Sequence, residues 1–280
     1  MIYDELDSCE NMFNGVTSFY EITLSLNDSI TSMNSMFKGC TSLNKTTFLN
    51  FDTSNVNDMS HAFDGCSSLT SLDLNSFITS KVTSMIYMFK GCSKLKNLDL
   101  SNFITSSVEN MEYMFHGCSS LSVLNIGSFN TNKVKSMENM FHGCSKLNVF
   151  DLSHFTTGEL KSMNNTFEGC SKLTSITLPS FSSSSSIHIS NIFKGCSQLN
   201  TIDLSPLNNA NIKSLESMFS GCKKLNTINL SPLNIAQVTS MKHMFENCQN
   251  LNSLDLSSLN TENEKKQWNV CLKVVLDLIL

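Results

Sequence analysis

A chain of 280 residues with 40% hydrophobic and 15% charged residues has ample material for a core and little for a highly charged surface. Its formal net charge of −5, with no Lys/Arg cluster interleaved with aromatics, argues against nucleic acid or an anionic membrane as the main partner. The longest apolar stretch, Val270 to Leu280, is broken by Lys273 and Asp277 and is too short to span a bilayer, and Met1 to Asp7 lacks the basic flank and apolar run of a secretory signal.

In chain order, Leu6, Cys9, Met12, Phe13 and Gly15 match the second half of a repeating unit, and Val16 stands where later units place a cysteine. A shortened unit of 24 residues leads to Cys40. From there Cys40, Cys66, Cys92, Cys118, Cys144, Cys170, Cys196, Cys222 and Cys248 follow one another at a constant 26 residues. A fixed period of this size predicts one coil per repeat, each stacked on the one before it. In the coil that begins at Cys66 the apolar slots are Leu69, Leu72, Leu74, Phe77, Val82, Met85, Met88 and Phe89, closing with Gly91. Ser71-Leu72-Asp73-Leu74 alternates apolar and polar and predicts a short strand with one buried face. Later in each coil the spacing changes to three and four, as in Val108, Met111, Met114 and Phe115, with a Ser, Asn or Asp before the first methionine. That predicts one or two capped helical turns ending at the glycine. After Thr261 the pattern stops, and Trp268, Cys271, Leu272, Val275 and Ile279 share a helical face. Residues 1–261 are therefore expected to form a solenoid of nine to ten coils that starts mid-repeat, and 262–280 a C-terminal helical cap.

The Leu-x-x-Leu-x-Leu run within the wider Met-Phe-x-Gly-Cys-Ser-x-Leu-x-x-Leu-Asp-Leu-Ser-x-Phe-x-Thr-x-x-Val-x-x-Met pattern resembles the BspA-like leucine-rich repeats of bacterial and protist surface proteins. The likeness covers nearly all of residues 6 to 261. It implies an α/β repeat solenoid, a right-handed superhelix with a parallel β-sheet on one face and short helices on the other. One departure stands out. Ordinary leucine-rich repeats place an Asn ladder three residues after the strand, where this chain has Phe51, Phe77, Phe103, Phe129, Phe155 and Phe181, then Leu207, Leu233 and Leu259. The turn must be satisfied in another way.

The cysteines read as small buried hydrophobes. Side chains stacked in register point the same way instead of toward each other, the total of 11 is odd, and no Cys-x-x-Cys or Cys-x-x-His pair is present. No metal site and no cofactor is expected; His116 and His142 share a slot but have no third ligand nearby in sequence. Nor does the chain carry a phosphate loop or a nucleophile constellation, so it is not read as an enzyme.

One outward row is a candidate ligand-binding face. The middle strand residues are Thr47, Asp73, Asp99, Asn125, Asp151, Thr177, Asp203, Asn229 and Asp255. Carboxylates on adjacent coils, roughly 5 Å apart by strand spacing, should repel one another. The row is either a binding face or a repeat feature that keeps a flat sheet from aggregating. The resemblance implies a cell-surface or extracellular protein that binds a host, neighbouring-cell or matrix protein, while charge and hydropathy predict that this chain neither binds nucleic acid nor inserts into a membrane. The absence of a signal or anchor in this chain keeps a cytoplasmic interaction adaptor open, and the mid-repeat start a structural remnant of a longer array.

Overall fold

The computed structural model describes residues 8–25, 30–181 and 186–254. The chain divides into two compact units, Met1–Val134 and Lys135–Leu280. The expected cap over 262–280 and the last member of the outward row, Asp255, lie outside the described residues.

In the first unit β1 (Glu21–Ser25) pairs in parallel with β2 (Lys45–Leu49), and β3 (Asn97–Asp99) with β4 (Val123–Asn125). The register is one repeat, with Leu98 opposite Leu124 and Asp99 opposite Asn125. The two-residue period holds: Leu98 is buried between exposed Asn97 and Asp99. A second column of parallel bridges on another side of the coil runs Ser32, Asp58, Ser84, Asn110. The second unit repeats the scheme with β5 (Val149–Asp151) on β6 (Ser175–Thr177), and in its bridge column β7 (Ser186–His188) on β8 (Asn211–Ser214). One 3-10 turn, Ser205–Leu207, interrupts it, with Pro206 fixing its start. Each unit is thus a parallel β-solenoid.

Among the described residues the helices expected on the face opposite the strands are absent. Met59 to Gly65 instead runs as consecutive turns in which alternate N–H groups go to different places. Met59, His61, Phe63 and Gly65 donate to the carbonyls of Ser84, Ile86, Met88 and Lys90 in the next coil, at 3.1, 2.9, 2.8 and 2.7 Å. Ala62, Asp64 and Cys66 close turns onto Met59, His61 and Phe63. His61 and Gly65 sit at φ of 58° and 79°, a left-handed conformation that no α-helix contains. An isolated helix of two turns would leave its first four N–H groups unpaired, whereas the ladder to the next coil pairs four of them here. Turn after turn also brings every third or fourth residue to the core, which is why the spacing imitates a helix. The Ser and Asp residues read as helix caps do accept hydrogen bonds two residues on, as when Ser60 N–H donates to Asp58 Oδ1 at 2.8 Å, but they start a turn, not a helix.

Two columns fill the core. Phenylalanine rings stack from coil to coil, Phe13 on Phe37, Phe37 on Phe63, Phe63 on Phe89 and Phe89 on Phe115 in the first unit, with centroids 5.3–5.8 Å apart. Phe141, Phe167, Phe193, Phe219 and Phe245 do the same in the second. Beside them the described cysteines are all free and buried, as expected, but they are more than small hydrophobes. Cys66 Sγ donates to Phe37 O at 3.1 Å, Cys92 to Phe63 O at 3.2 Å and Cys118 to Phe89 O at 3.0 Å.

The missing asparagine ladder is replaced by threonine. Thr79, fully buried two residues after Phe77, donates through Oγ1 to Ile104 O at 3.0 Å and accepts the Ile104 N–H at 2.8 Å. Thr53 bonds both backbone groups of Ile78 in the same way, and Thr105 those of Asn130. Thr79→Val keeps the shape and removes both bonds, and is expected to cost about 2 kcal/mol in urea titration. Thr79→Ser, which keeps the hydroxyl, should cost clearly less; equal losses would assign the position to packing alone.

Candidate functional site

Every described member of the outward row is at the surface. Asp73, Asp99, Asn125, Asp151, Thr177, Asp203 and Asn229 are exposed and Thr47 is half-buried. Strand register sets Asp99 beside Asn125 in one unit and Asp151 beside Thr177 in the other. The carboxylates are not idle, however. Asn75 N–H donates to Asp73 Oδ1 at 3.0 Å, Ser101 N–H to Asp99 at 3.0 Å, Ser153 N–H to Asp151 at 2.8 Å and Ser205 N–H to Asp203 at 2.8 Å. Asn229 serves Ser231 equally, at 3.0 Å. Asp99 and Asp151 end β3 and β5, and every one of these residues shapes the turn that follows it. The backbone N–H of Ser101, then its hydroxyl, hold the Asp99 carboxyl below the usual range, and Ser153 and Ser205 do so for Asp151 and Asp203. Repulsion from Asp73 on the adjacent coil, the sequence expectation at Asp99, would have raised the Asp99 carboxyl instead.

The sheet is interrupted beside this row. β2 continues to Leu49, yet its pairing to the following coil stops at the single bridge between Lys45 and Ser71. A cleft of about 390 Å³ opens there, lined by Lys45, Thr47, Phe48, Asp73, Asn75 and Ser76. Phe48 occupies the slot that Leu74 and Leu100 fill in the next two coils, where both are fully buried, but it is itself only half-buried. Its ring meets Phe77 edge-on at 4.9 Å. The repeat pattern marks neither Lys45 nor Phe48 as a site; the legible signal is Thr46-Thr47-Phe48 where the next two coils read Leu-Asp-Leu. A second groove of about 390 Å³, in the second unit, is lined by Thr174, Asn200, Thr201, Lys224, Asn226 and Asn250, none of them in the outward row.

The turn column carries another row. Its left-handed slot holds Asn11, Ser35, Asn139, Asn165, Asn191, Ser217 and His243, but in three successive coils it holds His61, Tyr87 and Tyr113 at φ of 57–59°. Asparagine and histidine tolerate this conformation better than tyrosine does. The rings stack at 4.6 and 4.7 Å, which offsets the strain, and Lys90 Nζ lies 4.8 Å from the Tyr87 centroid. Partial burial, then the neighbouring Tyr113, Glu112 and Asp64, push the Tyr87 hydroxyl up. Because their faces cover one another, these rings leave little flat surface for a ligand.

Among the described residues no three metal-ligating side chains converge, and no helix is long and apolar enough to cross a membrane. The family description "Mycoplasma protein of unknown function, DUF285" matches residues 7–122, 92–202 and 162–273. The chain belongs to this family. The three matches overlap and together span residues 7 to 273. Among solved structures, a T. pallidum leucine-rich repeat protein is 20% identical, with 70% of this chain and 78% of that one covered at a TM-score of 0.44. A leucine-rich repeat protein from Eubacterium ventriosum is 23% identical over 77% of this chain and 46% of its own, TM-score 0.41. A leucine-rich cell surface protein from Faecalibacterium prausnitzii is 17% identical, with 90% of each chain covered and a TM-score of 0.35. No curated protein matches the sequence.

Proposed function

We propose that this DUF285 protein is a non-enzymatic binding scaffold, displayed at the cell surface or secreted, that holds a partner protein against its outward strand residues. The observation that carries the proposal is the cleft beside the row: Thr47 and Asp73 belong to both, so the outward residues line a concavity and not only a flat sheet. Exposed valines extend this chemistry. Val123 at the start of β4 and Val149 at the start of β5 are 59% and 67% exposed, an apolar component next to the carboxylates that suits protein contact. Surface display follows from the BspA-like resemblance of the repeat.

Asp73, Asp99 and Asp151 changed together to Asn should weaken binding and flatten its salt dependence. The turns should survive, because Asn229 and Asn125 already make the same bond. Binding would be measured on immobilised collagen and laminin and on intact cultured host cells at two salt concentrations. Glu112 and Glu138 changed to Gln remove two charges from the turn column and should leave binding unaltered. Loss in that second variant alone would move the binding face to the turn column.

A further inference from the structure

The edge of the coil between the turn column and the strand carries charge of one sign. In the six residues that follow each of the nine ladder cysteines from Cys40 to Cys248 there is no Asp or Glu, in a chain that has 24 of them and a net charge of −5. Lysines stand there instead. In the second unit they are Lys146, Lys172, Lys223 and Lys224, all exposed, and among the described residues no carboxylate pairs with any of them. Lys146, Lys172 and Lys224 share one slot, with Gln198 between the last two, so the row is spaced one coil and then two coils apart, about 5 and about 10 Å by strand spacing. Backbone bonds from Thr174 N–H to Asn148 O at 2.8 Å and from Asn226 N–H to Asn200 O at 3.4 Å hold the register across this edge. The flanking carboxylates are engaged elsewhere. Lys194 Nζ holds Glu168 at 3.0 Å, and the Ser153 and Ser205 N–H groups hold Asp151 and Asp203.

The polar groove of the second unit lies on this edge. It passes over four successive coils, from Thr174 to Asn250, about 15 Å by the same spacing, which is room for several linked sugar rings and far more than a single ion needs. Its lining consists of the amides of Gln198, Asn200, Asn226 and Asn250, the hydroxyls of Thr174 and Thr201, and Lys224, with neither an aromatic nor an aliphatic residue among them. An amide presents a donor and an acceptor side by side, which matches neighbouring hydroxyls on a sugar ring. Without an aromatic there is no platform on which a nucleic-acid base could stack, and without an apolar pocket nothing anchors a protein side chain. We infer that this edge binds an extended anionic polysaccharide, a chain of hydroxyl-rich rings with carboxylate or sulfate groups at regular intervals. The amides take ring hydroxyls, and Lys224, Lys172 and Lys146 take successive anionic groups. The chain runs along the stack and across the strands, because the groove and the lysine row both do. This is a second site on a different edge from the Asp row, and it does not rest on the partner-protein reading.

The test titrates the full 15N-labelled chain with octasaccharides of chondroitin 4-sulfate and of hyaluronan, with maltooctaose as an uncharged chain, and with poly-L-glutamate and oligo(dT) as polyanions of other classes. An acidic octasaccharide should shift the amides of Gln198 to Asn200 and Lys224 to Asn226 saturably, and should bind about tenfold or more tighter than maltooctaose and than either other polyanion. Hyaluronan binding as well as the sulfated chain assigns the recognised group as carboxylate; binding of the sulfated chain alone assigns it as sulfate. Lys172→Gln with Lys224→Gln should weaken binding about tenfold and flatten its salt dependence. Glutamine already fills that slot at Gln198, so the coils should keep their fold. Asn200→Ala should weaken binding about fivefold and leave the salt dependence as it was. No saturable binding, equal or tighter binding of poly-L-glutamate or oligo(dT), shifts centred elsewhere, or full affinity in the double lysine variant would overturn the inference. The triple Asp73, Asp99 and Asp151 variant should bind the octasaccharide undiminished, so the glycan site and the strand face stand or fall separately.

Discussion

Phe115→Ala should destabilise its unit by roughly 3–5 kcal/mol, the usual loss for a buried ring replaced by a methyl group. Phe115 is fully buried and stacks on Phe89 at 5.6 Å, so the surrounding coils cannot close the hole without shifting their own hydrogen-bonded ladders. Phe13→Ala should cost clearly less. Phe13 lies in the first described coil, is only half-buried, and has Phe37 on one face and Phe19 edge-on at 6.1 Å. Urea titrations followed by circular dichroism compare the two. Equal losses would mean that a fully buried ring is no better supported than the half-buried one in the first described coil, and the stacked-coil account of stability would fail.

The period, the coil and most of its core were legible because a solenoid writes each packing slot into the sequence once per turn. Leu69, Leu72, Leu74, Phe77, Val82, Met85, Met88 and Phe89 were all read as inward, and all are buried. What the pattern could not convey is where the backbone hydrogen bonds go. An apolar residue every three or four positions fits a helix and a run of turns alike, and the difference lies in the φ of residues such as His61 and Tyr87, whose side chains do not advertise a left-handed backbone. Thr79 is a similar case. Its slot was visible in the repeat, but a threonine that serves as both donor and acceptor to the next coil cannot be told from one that merely fills space.

The exposure of the outward row was legible in the sequence, but its part in the turns was not. Alternation alone puts Asp99 and Asp151 on the exposed side. That their Oδ1 atoms bind the N–H two residues later depends on the chain turning at once after the strand, which the following Ser-Asn and Ser-His pairs imply only weakly. The consequence is that part of the Asp signal belongs to turn formation, and a binding role must be sought where the row coincides with something the repeat does not require. Lys45 and the half-buried Phe48 in the cleft are such departures.

Alkaline pH should unfold this protein through its thiols. Burial raises Cys9 and Cys40 to about 11 and Cys118, Cys170 and Cys248 to about 12, from an ordinary 9.0, and it raises Cys66, Cys92, Cys196 and Cys222 as well. The sign follows from which state holds more protons. Above pH 9 the unfolded chain releases its thiol protons while the folded chain keeps them, so the stability present below pH 9 is lost as pH rises toward the folded values. Each thiol ionised only in the unfolded chain contributes a slope of about 1.4 kcal/mol per pH unit, and a column of them adds up to several kcal/mol between pH 9 and 10. Urea midpoints measured from pH 7.5 to 10 should fall steeply over the upper half of that range. A variant with Cys118→Val and Cys170→Val should fall less steeply, since valine already fills the same slot at Val16 and carries no proton. The Phe89 carbonyl that loses the Cys118 thiol keeps the Cys92 N–H at 3.1 Å, so the variant should fold and its lower slope can be read. A flat profile in the natural chain, or the same slope in both proteins, would mean that the thiols ionise alike in the folded and unfolded states and that the column is open to water.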